Sequence, residues 1–208
     1  MSPAKHPAKF NDAVLEEMST WMKKGQRVLD PFAGVGKLAN IPWIHAVCVE
    51  IEPDWATGVI ADTLHLPFPG EVFDVIATSP TYGNRMADHH QATDTSTRHT
   101  YTHYLGHKLH RHNSGTLQFG QRYRQFHLKA WREVVRCLKP DGRFLLNTSN
   151  HIRKGDVQDV TLFHTTLLEG LGLDVVKVVK IGTPRLRHGE NHESRVDHET
   201  VTVLTKSN

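Results

Sequence analysis

Short apolar runs rich in β-branched residues alternate along this chain with stretches of helical periodicity, and that alternation narrows the possible folds more than any other feature. Runs at 27–32 (RVLDPF), 46–51 (AVCVEI), 58–61 (GVIA), 73–78 (FDVIAT) and 143–148 (RFLLNT) are too short for helices. They are also mostly apolar, as parallel strands buried on both faces must be. Helical patterns lie between them. Asn11 can cap a helix reaching Lys24, with Val14, Leu15, Met18, Trp21 and Met22 at helical spacing and Gly25 as its stop. A second helix is expected over 126–138, ended by KPDG, and a third over 157–171. Two alternating runs at 174–181 and 200–205 close the chain as an antiparallel hairpin with a long polar connection. The expected fold is α/β, with a mixed sheet of seven strands.

A chain of 208 residues is expected to fold as one domain over 1–208, burying about 70% of its unfolded surface. The longest apolar runs fall well short of the roughly 20 residues that span a bilayer, so a membrane protein is excluded. The N-terminal MSPAKHPAKFNDAV has lysines but no apolar segment behind them, and Cys48 and Cys137 are too few and too far apart for a disulfide framework. A cytoplasmic location is expected. No internal repeat is visible.

The segment 88–127 breaks the pattern and reads as a functional loop inserted into the domain. It holds Arg98, Lys108, Arg111, Arg122 and Arg124 against Asp88 and Asp94, an excess of three that equals the formal +3 of the whole chain. Tyr101, Tyr104, Phe119 and Tyr123 are interleaved with these cations and with histidines, a mixture suited to phosphate contacts and base stacking. With Arg85 just ahead of it, this segment supplies the candidate nucleic-acid contacts: Arg85, Arg98, Arg111, Arg122 and Arg124.

In VLDPFAGVGKLA (28–39) a buried strand runs into an Asp-Pro-Phe turn with Gly34 and Gly36, where backbone can approach a ligand that a Cβ would strike. The next strand ends in Glu50, some 20 residues after Asp30, a position from which a carboxylate can take both hydroxyls of a ribose. The chain has neither GxGxxG for a dinucleotide nor GxxxxGK with Ser or Thr for a nucleoside triphosphate, so a nucleoside without phosphates fits best.

In these residues the chain resembles the S-adenosylmethionine-dependent methyltransferases, whose glycine motif Phe32, Gly34 and Gly36 match and whose acid ending the second strand is matched by Glu50. The resemblance implies a Rossmann-like fold of the class I type with S-adenosylmethionine as cofactor. It would place Asp30 and the glycine turn at the methionine end, Glu50 at the ribose, Ile51 and Trp55 against the adenine face and Asp62 at the adenine amino group. The fourth strand ends in SPTY, Ser79 to Tyr82, which resembles the motif of the amino-directed nucleic-acid methyltransferases: Asp, Asn or Ser, two prolines, then Tyr or Phe. Ser79 and Pro80 would then accept the hydrogens of an exocyclic amino group, localising its lone pair for attack on the methyl group, while Tyr82 stacks on the flipped base. Thr81 stands where that motif has its second proline, a change expected to loosen the turn.

The resemblance extends to HPAKFNDAVLEEM and to HLKAWREVVRCLKPDGRFLLNTSNH, and the nearest pattern is that of small phage-like DNA methylases with the cofactor motif ahead of the catalytic one. It implies a DNA substrate, cytosine N4 ahead of adenine N6 because of Ser79, with RNA as the alternative. A catalytically weak nucleic-acid-binding relative of the same fold is the alternative from another class. No separate recognition domain is apparent, so the loop and Arg185, Arg187 and Arg195 in the last connection are left to hold nucleic acid. Neither cysteine follows a proline, which excludes the nucleophile of cytosine-C5 enzymes. His99, His103 and His107 are spaced by four, yet sit among threonines and glycine without HExxH or paired cysteines, so no metal is expected.

Overall fold

The computed structural model describes residues 11–87, 100–183 and 196–207, apart from the side chain of Arg85. Five strands, β1 (Arg27–Asp30), β2 (His45–Glu50), β3 (Val59–Ile60), β4 (Phe73–Thr78) and β5 (Leu138–Thr148), pair in parallel. The sheet is completed by β8 (Leu173–Gly182) and β9 (His198–Lys206) in the order β3-β2-β1-β4-β5-β9-β8, with β9 antiparallel to both its neighbours. Between β5 and β8 the strands β6 (His151–Arg153) and β7 (Asp156–Gln158) form a small separate hairpin. The helices are α1 (Asp12–Ser19), α2 (Tyr101–Leu105), α3 (Gln121–Cys137) and α4 (Val160–Glu169).

Alternation along the strands splits the core into two layers. Leu29, Ile76, Phe144 and Leu146 point to one face, where Trp131, Val134 and Leu138 from α3 and its end and Leu168 of α4 cover them. Val28, Val75, Ala77 and Leu145 point to the other, under Val14 and Met18 of α1 and Leu38. Most of these side chains are wholly buried, each contributing about 1.5–3 kcal/mol. Successive strands run from β1 outward to β3 and then cross back to β4 on the other side of β1. The crevice this reversal opens beyond the carboxyl ends of β1 and β4 is where α/β sheets take their ligands.

The seven-stranded mixed sheet and its closing hairpin are found as expected, while several boundaries differ for identifiable reasons. α1 stops at Ser19, not Lys24, because the hydroxyls of Ser19 and Thr20 bond back to the Glu16 and Glu17 carbonyls; Gly25 (φ 83°) ends the following turn. α3 begins at Gln121, inside the segment read as irregular, since Tyr123, His127, Ala130, Trp131 and Val134 share one buried face and His127 behaves there as a core residue. β5 starts at Leu138, but its ladder with β4 jumps from Phe73–Leu138 to Val75–Arg143, so the KPDG turn is extruded from the strand. α4 starts at Val160 rather than 157 because Asp159 caps it, accepting a bond from Leu162 N. Among the described residues no helix is long and apolar enough to cross a membrane.

Candidate active site

A cavity of about 280 Å³ opens at the carboxyl ends of β1, β2 and β4. Beneath it lies Asp30, the last residue of β1. Asp30 is fully buried, and its Oδ1 accepts bonds from Phe32 N (3.1 Å) and Thr78 Oγ1 (2.7 Å), tying the turn after β1 to the end of β4. Oδ2 is buried with no hydrogen-bond partner among the described residues, and burial pushes the carboxyl pKa up to about 7. Asp30 therefore sits beneath the turn rather than on the cavity wall. An unfolded chain holds this group at its ordinary 3.8, so between about pH 4 and 7 the folded state keeps a proton that the unfolded state has lost. Stability is expected to fall with rising pH across that window by roughly 1.4 kcal/mol per unit relative to Asp30→Asn. Urea denaturation of both proteins at several pH values measures the difference; parallel curves would remove Asp30 as its source.

The glycine turn is held by protein rather than shaped for a ligand. Gly34 and Gly36 are both left-handed (φ 51° and 69°), and a Cβ on Gly36 would collide with Thr57 Oγ1. The clearance expected for a ligand thus admits the segment after β2 instead, and neither glycine lines the cavity, whereas Pro31, Phe32, Ala33 and Val35 do. Glu50, at the end of β2, does line it. Its Oε1 accepts from Ile51 N and Glu52 N and its Oε2 from Gly34 N, each at 2.9 Å. Burial raises its pKa and these three amides oppose the rise. Of the roughly four acceptor positions of a carboxylate, one is left, on Oε2, so a ribose would meet a single direct acceptor here, not the two expected.

The apolar side is built from Ile51, Val35, Trp55 and Tyr101, with the Trp55 and Tyr101 rings edge to face at 6.3 Å. Asp62 lies on the wall as expected but is already engaged: Oδ1 accepts from Leu64 N (2.9 Å), and Oδ2 meets His112 Nδ1 at 2.6 Å. His112 belongs to the stretch 110–116, of which His112, Asn113 and Ser114 line the cavity, a placement the sequence pattern does not signal. The buried Glu52 fastens that stretch, accepting from His110 N (2.6 Å) and Asn113 Nδ2 (2.8 Å).

Ser79, Pro80, Thr81 and Tyr82 all line the cavity. Ser79 Oγ and Tyr82 Oη are 2.8 Å apart, and Asn147 Nδ2 of β5 lies 3.0 Å from Tyr82 Oη, 3.4 Å from Ser79 Oγ and 3.0 Å from Glu199 Oε2 of β9. Thr81 replaces the stiffness of a proline ring with bonds on two sides: its hydroxyl donates to Ser114 Oγ (2.9 Å) and its carbonyl accepts from Tyr123 Oη (2.6 Å). The second bond ends a buried chain whose direction is fixed by its first donor. Trp131 Nε1 donates to His164 Nδ1 (2.9 Å), so Nε2 of that neutral ring carries the proton and donates to Tyr123 Oη (2.7 Å), leaving the phenol hydrogen for Thr81. Burial drives the His164 pKa well below its usual value, as this tautomer requires.

Of the candidate nucleic-acid contacts, Arg111, Arg122 and Arg124 are exposed, Arg111 next to the lining residue His112. Arg124 lies over the Phe119 and Phe163 rings at 4.8 and 5.3 Å. Arg98, Arg185, Arg187 and Arg195 and the side chain of Arg85 lie outside the described residues. So does His99; among the described residues no three His, Cys, Asp or Glu side chains gather as a ligand set, and His107 Nε2 instead lies 3.4 Å from Asp54. Cys48 and Cys137 are buried free thiols, and burial pushes the Cys48 thiol up to about 12.

The strand order, the hairpin and the cavity at the β1/β4 reversal together define the Rossmann-like fold of the class I S-adenosylmethionine-dependent methyltransferases. Solved structures with the same fold include 1,6-didemethyltoxoflavin-N1-methyltransferase of Burkholderia thailandensis, bound to 1,6-didemethyltoxoflavin and S-adenosylhomocysteine, at 14% identity and a TM-score of 0.56 over 94% of this chain and 77% of that one. An S-adenosylmethionine-dependent methyltransferase of Methanosarcina mazei shares it at 12% identity and a TM-score of 0.55 over 92% of this chain and 97% of that one. The YcgJ protein of Bacillus subtilis shares it at 14% identity and a TM-score of 0.56 over 95% of this chain and all of that one. At these identities the likeness is one of fold. No family model matches the chain, and no curated protein matches it by sequence.

Proposed function

We propose that the chain is an S-adenosylmethionine-dependent methyltransferase acting on an exocyclic amino nitrogen of a DNA base, cytosine N4 ahead of adenine N6, with the base swung out of its stack. The observation that carries this reading is the SPTY turn on the wall of the same cavity as the acid ending β2. The lining suits a cationic nucleoside: Glu50, Asp62 and Glu199 face it, and its one lysine, Lys37, sits 2.5 Å from Asp12. No arginine among the described residues lines the cavity for a phosphate. The S-adenosylhomocysteine held by the Burkholderia neighbour supports the same cofactor here.

S-adenosylmethionine supplies an electrophilic methyl group on a cationic sulfur. Around it, Glu50 would hold the ribose through the free position on Oε2, Ile51, Val35 and Trp55 would enclose the adenine, and Asp62 would take its amino group beside His112. Thr81, tied to Ser114 and Tyr123, fixes the turn on which Ser79 and the Pro80 carbonyl are presented. These two oxygens accept amino hydrogens of the target, and Tyr82, its hydroxyl held by Asn147, offers its ring to the base. Phosphate contacts fall to Arg111, Arg122 and Arg124, with Arg85 and Arg98 as further candidates.

Incubation with labelled S-adenosylmethionine and either genomic DNA from a strain lacking DNA methylation or bulk RNA, followed by nucleoside mass spectrometry, tests the reading. N4-methyldeoxycytidine is the expected product; methyl only in RNA would overturn the DNA assignment, and cofactor binding with no transfer to either would favour a binding module. Ser79→Ala and Tyr82→Ala are each expected to lower the transfer rate by about 100-fold or more, the scale on which single transition-state contacts are lost. Full activity in either variant would take that side chain out of the mechanism.

A further inference from the structure

Methylation of an amino group leaves a proton to dispose of, and the SPTY turn has no group to receive it. When the nitrogen lone pair forms the new N–C bond, the electrons of the broken C–S bond remain on sulfur and the nitrogen carries one hydrogen too many. A carboxylate at the first motif position would take that hydrogen directly. Ser79 is a hydroxyl that already bears its own proton, and the Pro80 carbonyl and the Tyr82 phenol are no better placed to hold another.

Three carboxylates line the cavity among the described residues, and two are committed elsewhere. Glu50 is gripped by three backbone amides, and Asp62 by Leu64 N and His112. The third, Glu199, joins the reacting turn through one shared partner: Asn147 Nδ2 bonds Glu199 Oε2 at 3.0 Å and Tyr82 Oη at 3.0 Å. An amide nitrogen is a donor only and Asn147 is 1% exposed, so Oε2 is committed to it, and Glu199 lines the same cavity as Ser79 and Tyr82. Oε1 accepts no hydrogen bond from the described residues. β9 brings Glu199 here because it pairs antiparallel with β5, with Asn147 opposite Val201 and Thr148 opposite Thr200.

We propose that Glu199 is the catalytic residue that recognises the target amino group and receives the proton it sheds. Oε1 shares with Ser79 Oγ the N–H on its side of the amino group before transfer, the other N–H going to the Pro80 carbonyl; after transfer the surplus proton moves from the nitrogen to Oε1 and from there to solvent, restoring the carboxylate. The same oxygen repels a keto oxygen, so the site admits amino bases and rejects their keto counterparts. This assignment rests on the amino-methyltransferase reading of the site.

Glu199→Gln tests it cleanly, because a Gln amide oxygen can still accept from Asn147 while the charge is gone and the NH2 end can donate to a keto base. Two readouts are needed. In the presence of S-adenosylhomocysteine, single-stranded oligonucleotides carrying dC or deoxyuridine, and dA or deoxyinosine, are titrated against both proteins. The wild type is expected to prefer the amino member of one pair by at least about 10-fold, and Glu199→Gln to erase that preference. In turnover with unmethylated single-stranded DNA, Glu199→Gln is expected to lose about 100-fold or more in kcat with S-adenosylhomocysteine affinity within a few fold, and Glu199→Asp to recover part of the loss. A wild type that methylates nucleic acid alongside a Glu199→Gln variant equal to it in both readouts overturns the role of Glu199 alone. A wild type that transfers methyl to neither DNA nor RNA overturns the amino-methyltransferase reading and this assignment with it.

Discussion

Glu50→Ala is expected to lose at least about 100-fold in affinity for S-adenosylmethionine. A hydrogen bond to a charged acceptor contributes about 1.5–3 kcal/mol, and this carboxylate would accept one from a ribose hydroxyl while organising Gly34 N, Ile51 N and Glu52 N around it. Its removal leaves three amides to find new partners at the cavity wall and lets the glycine turn drift from β2. Glu50→Gln separates the two effects, since one amide oxygen can keep the bonds now made to Oε1 while the other end no longer accepts. Isothermal titration of the folded variants with S-adenosylmethionine measures both. An unchanged dissociation constant for Glu50→Ala would move the ribose elsewhere and with it the placement of the cofactor.

Trp131→Ala is expected to be the most destabilising of these single changes, by about 3–5 kcal/mol, and to disturb the SPTY turn as well. Trp131 is wholly buried and packs edge to face on Phe144 (5.4 Å) and Phe32 (5.5 Å), so its loss opens a cavity between α3 and the sheet. It also deprives His164 Nδ1 of its donor, a second cost of about 1–3 kcal/mol that Trp131→Phe isolates by keeping much of the ring volume. Without that donor nothing sets the His164 tautomer, and Tyr123 can turn its hydroxyl hydrogen from the Thr81 carbonyl to the ring nitrogen. Urea unfolding gives the stability of both variants, and a Trp131→Phe protein as stable as the wild type would show that the buried chain adds nothing beyond packing.

The parts of this protein that were legible in one dimension are those in which local chemistry and local structure coincide. The five parallel strands announced themselves because a strand buried on both faces must be apolar throughout, and the closing hairpin because its two runs alternate. Asn11 was readable as a cap for the same reason, its side chain accepting from Ala13 N two residues away. The acid after β2 and the SPTY turn after β4 could be placed at one site in advance, since the end of a parallel strand at the sheet reversal has only one crevice to face. Where this failed, distant residues had decided the outcome. The start of α3 was hidden because 121–125 holds a single apolar residue, Tyr123, whose burial is decided by its distant partners Thr81 and His164. Gly36 is readable as a close approach, but the atom a Cβ there would meet belongs to Thr57 rather than to a ligand.

Fold class thus follows from periodicity, which is set by neighbours within one element, and the principal walls of the cavity follow from short motifs read through the family resemblance. What surrounds those walls does not. That His112, Asn113 and Ser114 line the cavity, that Thr81 is braced by Ser114 and Tyr123, and that Asn147 bonds both Tyr82 and Glu199 are consequences of packing between segments far apart in sequence. Hydrogen-bond geometry over such separations leaves no periodic trace in a chain, and it takes the antiparallel register of β5 and β9 to turn Glu199 from one more acid on a final strand into a lining residue of the site.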